Sequence, residues 1–359
     1  MAHLFDPLSL RGVTLRNRIV VSPMCEYSSE DGFAADWHLV HLGSRAVGGA
    51  GLVLTEAAAV SAEGRITAGD LGIYRDEHVA KLREIVEFIH ANGAVAGIQL
   101  AHAGRKASCA KPWDGGRPVT RANGGWTPLA PSAVPFVEGD PAPHALTTHE
   151  IADAIGDFVA AAQRALEAGF RVFELHAAHG YLLHEFLSPL VNQRTDEYGG
   201  TFENRTRFLR EVTSAVRAAL PKDAPLFVRI SATDWAEGGW DVDQSVRLAA
   251  DLRELGVDLI DVSSGGGVSH QQIVAGPGYQ VPFAERIRSE AKIPTGAVGM
   301  ITEPQQAEEI VTAGKGDLVF LARELLRDPY WPLRAATALG ADVAWPVQYV
   351  RAKPTPAHA

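Results

Sequence analysis

Short β-branched apolar runs alternate with longer amphipathic runs from Ile19 to Gly340, and the alternation repeats eight times. The runs Ile19–Cys25, Gly51–Ala57, Val95–His102, Val172–Ala177, Leu226–Ser231, Leu259–Ser264, Pro294–Gly299 and Leu318–Arg323 read as strands, each followed by helical periodicity. Apolar strands spaced by amphipathic helices specify a parallel sheet covered by helices, so the expected class is α/β, a (β/α)8 TIM barrel. The most regular helix sets Ile151, Ile155, Phe158, Ala162 and Leu166 on one stripe, begins near Thr148 as N-cap and stops at Gly169. Gly93, Gly256 and Gly314 are placed to end three further helices in the same way. Two short runs around Arg11-Gly12, between Leu8 and Leu15, read as an N-terminal β-hairpin lid that plugs the barrel's N-terminal end. The hairpin is an appendage, and residues 1–359 read as a single barrel domain.

One connection breaks the pattern. The segment from Ala107 to Thr147, rich in Pro, Gly, Trp and Asp, makes a long loop after strand three. Barrel enzymes build their sites at that end of the strands, so the loop is expected to cover a pocket. The stretch from Pro346 to Ala359 has no helical stripe and is expected to be mobile beyond Arg351.

Composition narrows the function classes. With 33 Lys+Arg against 43 Asp+Glu the net charge is −10, which argues against a nucleic-acid partner held by phosphate electrostatics and leaves room for one local basic pocket. The partners expected are small molecules. Cys25 and Cys109 are the two cysteines, too few for a disulfide framework. The start, Met-Ala-His-Leu-Phe-Asp-Pro, lacks the basic and apolar regions of a secretory signal, and no apolar run approaches membrane-spanning length. A cytoplasmic location without membrane association is therefore expected.

In a barrel the C-terminal strand ends share one mouth, and here they carry Cys25, Glu56, Gln99, His102, His176, Arg229, Ser263 and Arg323. Buried polar groups need partners, so a polar ligand is expected among them. Gly296-Ala297-Val298-Gly299-Met300 offers small residues and backbone N–H groups, and Ala322-Arg323 offers a cation, as suits a phosphate at barrel loops seven and eight. Two tight turns with a surface arginine are the structural alternative. No glycine-rich dinucleotide fingerprint follows a strand, which favours a phosphate-bearing cofactor inside a barrel over a dinucleotide on an open sheet.

The sharpest chemical signal is His176-Ala177-Ala178-His179-Gly180-Tyr181, directly after the fourth strand. Where the strand ends and the chain turns, two imidazoles can converge and polarise a carbonyl or nitro oxygen, while the phenol, protonated at neutral pH, serves as acid. Zinc ligation by His176, His179 and His184 is the competing assignment. His38 and His41 read as structural. Cys25 is either an inert thiol or, beside a redox cofactor, a functional one.

Together these motifs resemble the Old Yellow Enzyme family of flavin-dependent ene-reductases, in its bacterial class II branch that includes xenobiotic reductase. The resemblance spans nearly the whole chain. It rests on Arg16-Asn17-Arg18, Ser22-Pro23-Met24-Cys25, Glu56-Ala57, the run Gly97 to Lys106, His176 to Tyr181, Arg194 to Gly200, and Gly296 to Met300. It implies FMN in the barrel mouth, with Ser22, Pro23, Met24, Cys25 and Ala57 along the isoalloxazine, Gln99 and Arg229 at its pyrimidine edge, and Gly299, Ala322 and Arg323 at its phosphate. It further implies NADPH or NADH as hydride donor and small activated alkenes as substrates. His176 and His179 then hold the activating oxygen, Tyr181 protonates the α-carbon, Tyr27 contacts substrate, and Cys25 tunes the flavin and substrate binding. Arg351 matches an arginine that in some relatives enters a neighbouring subunit's site, which goes with a homodimer or homotetramer. Position 322 is Ala where relatives usually have Gly, and the tail after Arg351 lacks the family's short basic or aromatic ending.

Two other classes stay open at this level. A phosphosugar isomerase or aldolase would use loops seven and eight but leaves Gln99, Arg229 and Cys25 unexplained, and no lysine stands at a strand end as a Schiff-base candidate. A flavin protein that stores or senses redox state would share the cofactor residues without turnover.

Overall fold

In the computed structural model, which describes residues 2–354, the chain opens with β1 (Leu8–Leu10), β2 (Val13–Leu15), β3 (Ile19–Val21), α1 (Asp36–Val47), β4 (Leu52–Ala59), α2 (His78–Ala91) and β5 (Val95–Ala101). It continues through β6 (Leu129–Ala130), β7 (His144–Ala145), α3 (Thr148–Ala168), β8 (Val172–Ala177), α4 (Leu182–Leu187), α5 (Phe202–Ala219), β9 (Leu226–Ser231), α6 (Val242–Glu254) and β10 (Leu259–Ser263). Then come α7 (Val281–Ala291), β11 (Thr295–Ala297), α8 (Pro304–Thr312), β12 (Leu318–Leu321), α9 (Arg323–Arg327) and α10 (Trp331–Leu339). Strands β3, β4, β5, β8, β9, β10, β11 and β12 pair in parallel in that order, and β12 returns to β3 to close the barrel. This is the expected (β/α)8 barrel.

Alternation along each strand builds two cores. Ile19, Val21, Val53, Ala96, Ile98, Phe173 and Leu175 point outward and pack under the helices. Val20, Leu52, Leu54, Val95, Val172, Phe227, Leu259, Leu318 and Phe320 point inward, and Leu10 and Leu15 of the hairpin join that inner cluster. Since these residues stand mostly at the starts of their strands, the hairpin seals the N-terminal end as expected. Arg11 at its tip, in left-handed backbone at φ 48°, donates to both Asp258 oxygens at 2.6 and 2.7 Å and to the carbonyls of Lys222 and Gly256.

Helix ends follow local chemistry. Thr147 caps α3: its hydroxyl accepts from Glu150 N at 3.2 Å, and the Glu150 carboxylate accepts from Thr147 N at 2.7 Å. The cap thus lies one residue before Thr148. Gly169, at φ 95°, ends that helix, and Gly93, Gly256 and Gly314 sit just past the caps of α2, α6 and α8 with positive φ. Five strands stop short of their apolar runs, β5 and β10 by one residue, at His102 and Ser264, and β3, β11 and β12 by more. Ser22 to Cys25 leave β3 as irregular chain, Val298 and Gly299 lie beyond β11, and Arg323 opens α9.

Gly296, expected with the phosphate turn, has a packing role. A Cβ there would lie 2.2 Å from Phe320 Cε2, so its bare backbone makes room for an inward phenyl ring. Of the expectations for the tail, those for Thr355 to Ala359 lie outside the described residues; Arg351 falls in a short 3-10 turn, Val350–Ala352.

Phe320 is 1% exposed at the centre of the inner core. Phe320→Ala should cost about 3–5 kcal/mol, read as a lower urea midpoint at unchanged m-value.

Candidate active site

At the C-terminal mouth a cavity of about 150 Å³ is lined by Ser22, Pro23, Cys25, Ala57, Gln99, His176, His179, Tyr181, Arg229 and Ala322. Ten positions singled out from sequence thus meet at one place. The loops that deliver them come from six different barrel strands, which is how this fold gathers distant residues.

His176, next to last in β8, stands in register with Arg229 of β9. The chain then reverses through left-handed backbone, φ 60° at His179 and 74° at Gly180. A side chain at position 180 would bring Cβ within 2.1 Å of the Gly266 carbonyl oxygen, so glycine is required on both counts. The reversal sets His179 Nδ1 3.4 Å from His176 Nε2, and the Tyr181 ring stands edge-on to His176 with centroids 5.0 Å apart. His179 Nε2 lies 2.7 Å from Ser263 Oγ, and its backbone N–H donates to Ser231 Oγ at 2.9 Å. Burial, reinforced by the Arg229 charge, holds both imidazoles well below the usual histidine range, so both are neutral at pH 7.

Burial also pushes the Tyr181 phenol up, keeping its proton in place. Cys25 is raised by burial and then by Asp70 and Glu56, which makes it a thiol and not a thiolate nucleophile. Lys106 donates to the carbonyls of His179 and Gly266 at 2.8 and 3.2 Å, and its ammonium lies 5.2 Å from the Tyr181 ring centroid. Burial draws this lysine down to about 8.

Beneath the cavity, Gln99 Nε2 donates to Glu174 Oε1 at 2.8 Å and Arg229 Nε lies 3.0 Å from Asp261 Oδ2. Above it, a larger recess of about 530 Å³ opens past Tyr181, walled by Tyr27, Lys106, Trp126 and Phe136 together with the segment between Ala107 and Ala142. That segment covers the mouth, as its length and composition predict. Tyr27, at φ 50°, meets Trp113 edge-on at 5.8 Å.

The profile of the NADH:flavin oxidoreductase / NADH oxidase family matches residues 3–341. The chain belongs to this family. It is 54% identical over 350 residues to NADPH dehydrogenase of Geobacillus sp. (strain WCH70), covering 97% of this chain and 98% of that protein. It is 49% identical over 350 residues to NADPH dehydrogenase of Bacillus subtilis (strain 168), with the same coverage of 97% and 98%. Among solved structures, morphinone reductase in complex with tetrahydroNAD superposes with a TM-score of 0.78 at 28% identity, covering 96% of this chain and 93% of that one. The 2-naphthoyl-CoA reductase complex with 2-naphthoyl-CoA gives a TM-score of 0.85 at 26% identity over 94% of this chain and 52% of that one, so the present chain spans about half its length. The chain is an NAD(P)H-dependent flavin oxidoreductase with FMN and NAD(P)H as cofactors.

The mouth suits the FMN of this flavin oxidoreductase family. Ser22 Oγ is buried at the cavity with no hydrogen-bond partner among the described residues, and Arg229, whose Nε lies against Asp261, lines the same cavity with its guanidinium. A hydroxyl and a cation are therefore available to carbonyls and ring nitrogens. At the far side Gly299 takes φ 119°, and a Cβ there would press on Gln280 and Tyr279. The Arg323 charge acts on Tyr279, so loops seven and eight bring an exposed cation beside the glycine turn.

Not every expected residue faces the cavity. Met24 packs against the outer core, and Arg351 is exposed outside both cavities. Glu56 is committed to His38 at 3.0 Å, and His102 accepts from Gly104 N, so these two rim residues are structural. His184 is also structural: Nδ1 accepts from Gly180 N at 2.8 Å and Nε2 faces Asp234 at 3.0 Å. Among the described residues no three His, Cys, Asp or Glu are grouped to hold a metal ion. Glu174, Asp261 and Lys106 were missed by strand-end reasoning. Each carries a signal, the first two as charges inside apolar strands and the third as a cation in the short turn after β5.

Gly180→Ala should displace the His179–Tyr181 turn through both strain and the Gly266 contact. We expect roughly a tenfold or greater loss in affinity for a phenolic ligand, read by titration of the flavin spectrum. Such a ligand would stack on the flavin and offer its oxygen to His176 and His179 as a substrate would.

Proposed function

We propose that the chain is an ene-reductase acting on small alkenes activated by a carbonyl or nitro group. When bound, FMN would accept hydride from NAD(P)H and deliver hydride to the substrate β-carbon. The chain's own residues do the rest. His179 Nε2 lies 2.7 Å from Ser263 Oγ and its Nδ1 3.4 Å from His176 Nε2. In the proposed tautomers Ser263 donates to His179 Nε2, and the two imidazole protons sit on His179 Nδ1 and His176 Nε2. Both neutral rings line the cavity, and in these tautomers an acceptor oxygen bound between them would take N–H donation from each. Tyr181, kept protonated by its surroundings, delivers a proton to the α-carbon. The observation that carries this proposal is that pairing of imidazoles next to a protonated phenol.

Further assignments go with it. Ser22, Pro23, Cys25 and Ala57 line the flavin ring, with Met24 anchoring that segment in the outer core, Gln99 and Arg229 meet its pyrimidine edge, and Gly299, Ala322 and Arg323 hold its phosphate. Tyr27 contacts substrate from the wall of the larger recess. Residues 1–359 work as one barrel domain, in the cytoplasm, in a homodimer or homotetramer where Arg351 enters a neighbouring site. Neither nucleic acid nor membrane is a partner; among the described residues no helix is long and apolar enough to cross a membrane.

The first test is the visible spectrum of the purified protein, before and after anaerobic NADPH, then with cyclohexenone. We expect a flavin band that bleaches and returns; a band that stays bleached with cyclohexenone or N-ethylmaleimide would leave a flavin protein without this activity. Tyr181→Phe should slow the return by about 10²-fold or more and spare the bleaching, whereas His176→Ala should weaken phenol binding. Equal loss of both half-reactions in both variants would refute the assigned roles. Arg351→Ala should raise KM, and unchanged binding and turnover would remove Arg351 from the site.

A further inference from the structure

The floor beneath the cavity holds a charge imbalance that hydride transfer and α-carbon protonation do not use. Gln99 and Arg229 face the cavity, and behind them stand Glu174 of β8 and Asp261 of β10, both fully buried. Arg229 lies against Asp261 at 3.0 Å without the alignment of a hydrogen bond, while among the described residues Glu174 is hydrogen-bonded to the neutral amide of Gln99 alone, at 2.8 Å. Glu174 Oε2 and both Asp261 oxygens have no hydrogen-bond partner among the described residues. Ionised together, two carboxylates would share one guanidinium and leave a negative charge uncompensated in a dry interior, which is strongly unfavourable. One of them therefore keeps a proton. Asp261 is the one in contact with the cation, so the proton resides on Glu174.

The groups facing Glu174 agree. Burial pushes its carboxyl well above the usual range, the Asp261 charge adds to that, and Arg229 and Gln99 oppose it. In register, Glu174 is flanked by Gln99 and the apolar Phe227, and His176, two residues on in the same strand, is neutral. An amide exchanges its oxygen and nitrogen by a half-turn of its last side-chain bond, so the 2.8 Å contact also serves a protonated Glu174 donating to Gln99 Oε1.

We propose that Glu174 is a positioning residue that carries a proton at neutral pH and donates it to the Gln99 amide oxygen. The amide N–H is then turned toward the cofactor's pyrimidine edge, where negative charge collects on reduction. The inference rests on FMN lying over Gln99 and Arg229 as proposed above. Hydride from NAD(P)H brings two electrons and one proton. At alkaline pH, where Glu174 has lost its own proton, the charge gained by the cofactor draws one further proton from solvent onto that carboxylate. Below the Glu174 titration, reduction takes up one proton per two electrons; just above it, two.

The test is a spectroelectrochemical titration of the flavin midpoint potential of the holoenzyme from pH 6 to 10, which reads potential and not turnover. In the unaltered protein the potential should fall twice as steeply per pH unit above the break as below it. Glu174→Gln keeps the shape and is permanently neutral, so its line should have a single slope. Asp261→Asn removes the like charge beside Glu174 and should move the break to lower pH. A straight line for the unaltered protein would overturn the proposal without any variant, as would a break that persists in Glu174→Gln or stays in place in Asp261→Asn. Failure of the unaltered protein to take up FMN would instead overturn the placement of the cofactor.

Discussion

Everything at the mouth depends on the closure of β12 against β3. Val319 pairs with Ile19 and Leu321 with Val21, and that register brings the ends of the first and last strands to one level. Only a closed ring places Ser22 and Ala322 on one side of a cavity whose other side is Gln99, His176 and Arg229. Closure in turn needs an interior that is filled without strain. Phe320 inside, a bare Gly296 beside it and the hairpin leucines below meet that requirement.

Low polarity then governs the chemistry. The same burial that removes charge from His176 and His179 keeps the protons of Tyr181 and Cys25. The cavity is consequently a set of neutral groups around the guanidinium of Arg229, whose partner Asp261 lies one layer down. Neutral donors polarise an oxygen without the cost of reorganising a bound counter-charge, and they stay in the same protonation state through the neutral pH range.

Much of the architecture was legible because strand periodicity, glycine stops and the capping residues act locally. The strands at Val172–Ala177 and Leu226–Ser231 match their apolar runs residue for residue, since both faces are buried along their whole length. Ser22 to Cys25 and Arg323 were assigned to strands because apolarity continues past the last ladder pair, and only tertiary pairing decides where the ladder stops. The polar rim was legible as a list, but not its division of labour. His176 and Glu56 look alike in sequence, yet one faces the cavity and the other is paired with His38. The left-handed turn at His179 and the layer formed by Glu174 and Asp261 arise from contacts across four strands, which no local pattern encodes.

The long cover after β5 is tied down at several points. Trp126 Nε1 donates to the Glu63 carbonyl at 2.8 Å, Trp126 N donates to Ser108 Oγ at 2.8 Å, and the Arg65 guanidinium lies 5.2 Å from the indole centroid. Ser108 Oγ in turn donates to the Val119 carbonyl at 2.9 Å. A guest entering the recess therefore meets walls whose conformational entropy was already surrendered on folding. The part of the wall around Trp126 thus brings little further ordering cost to binding, since its conformational entropy is already lost in these bonds.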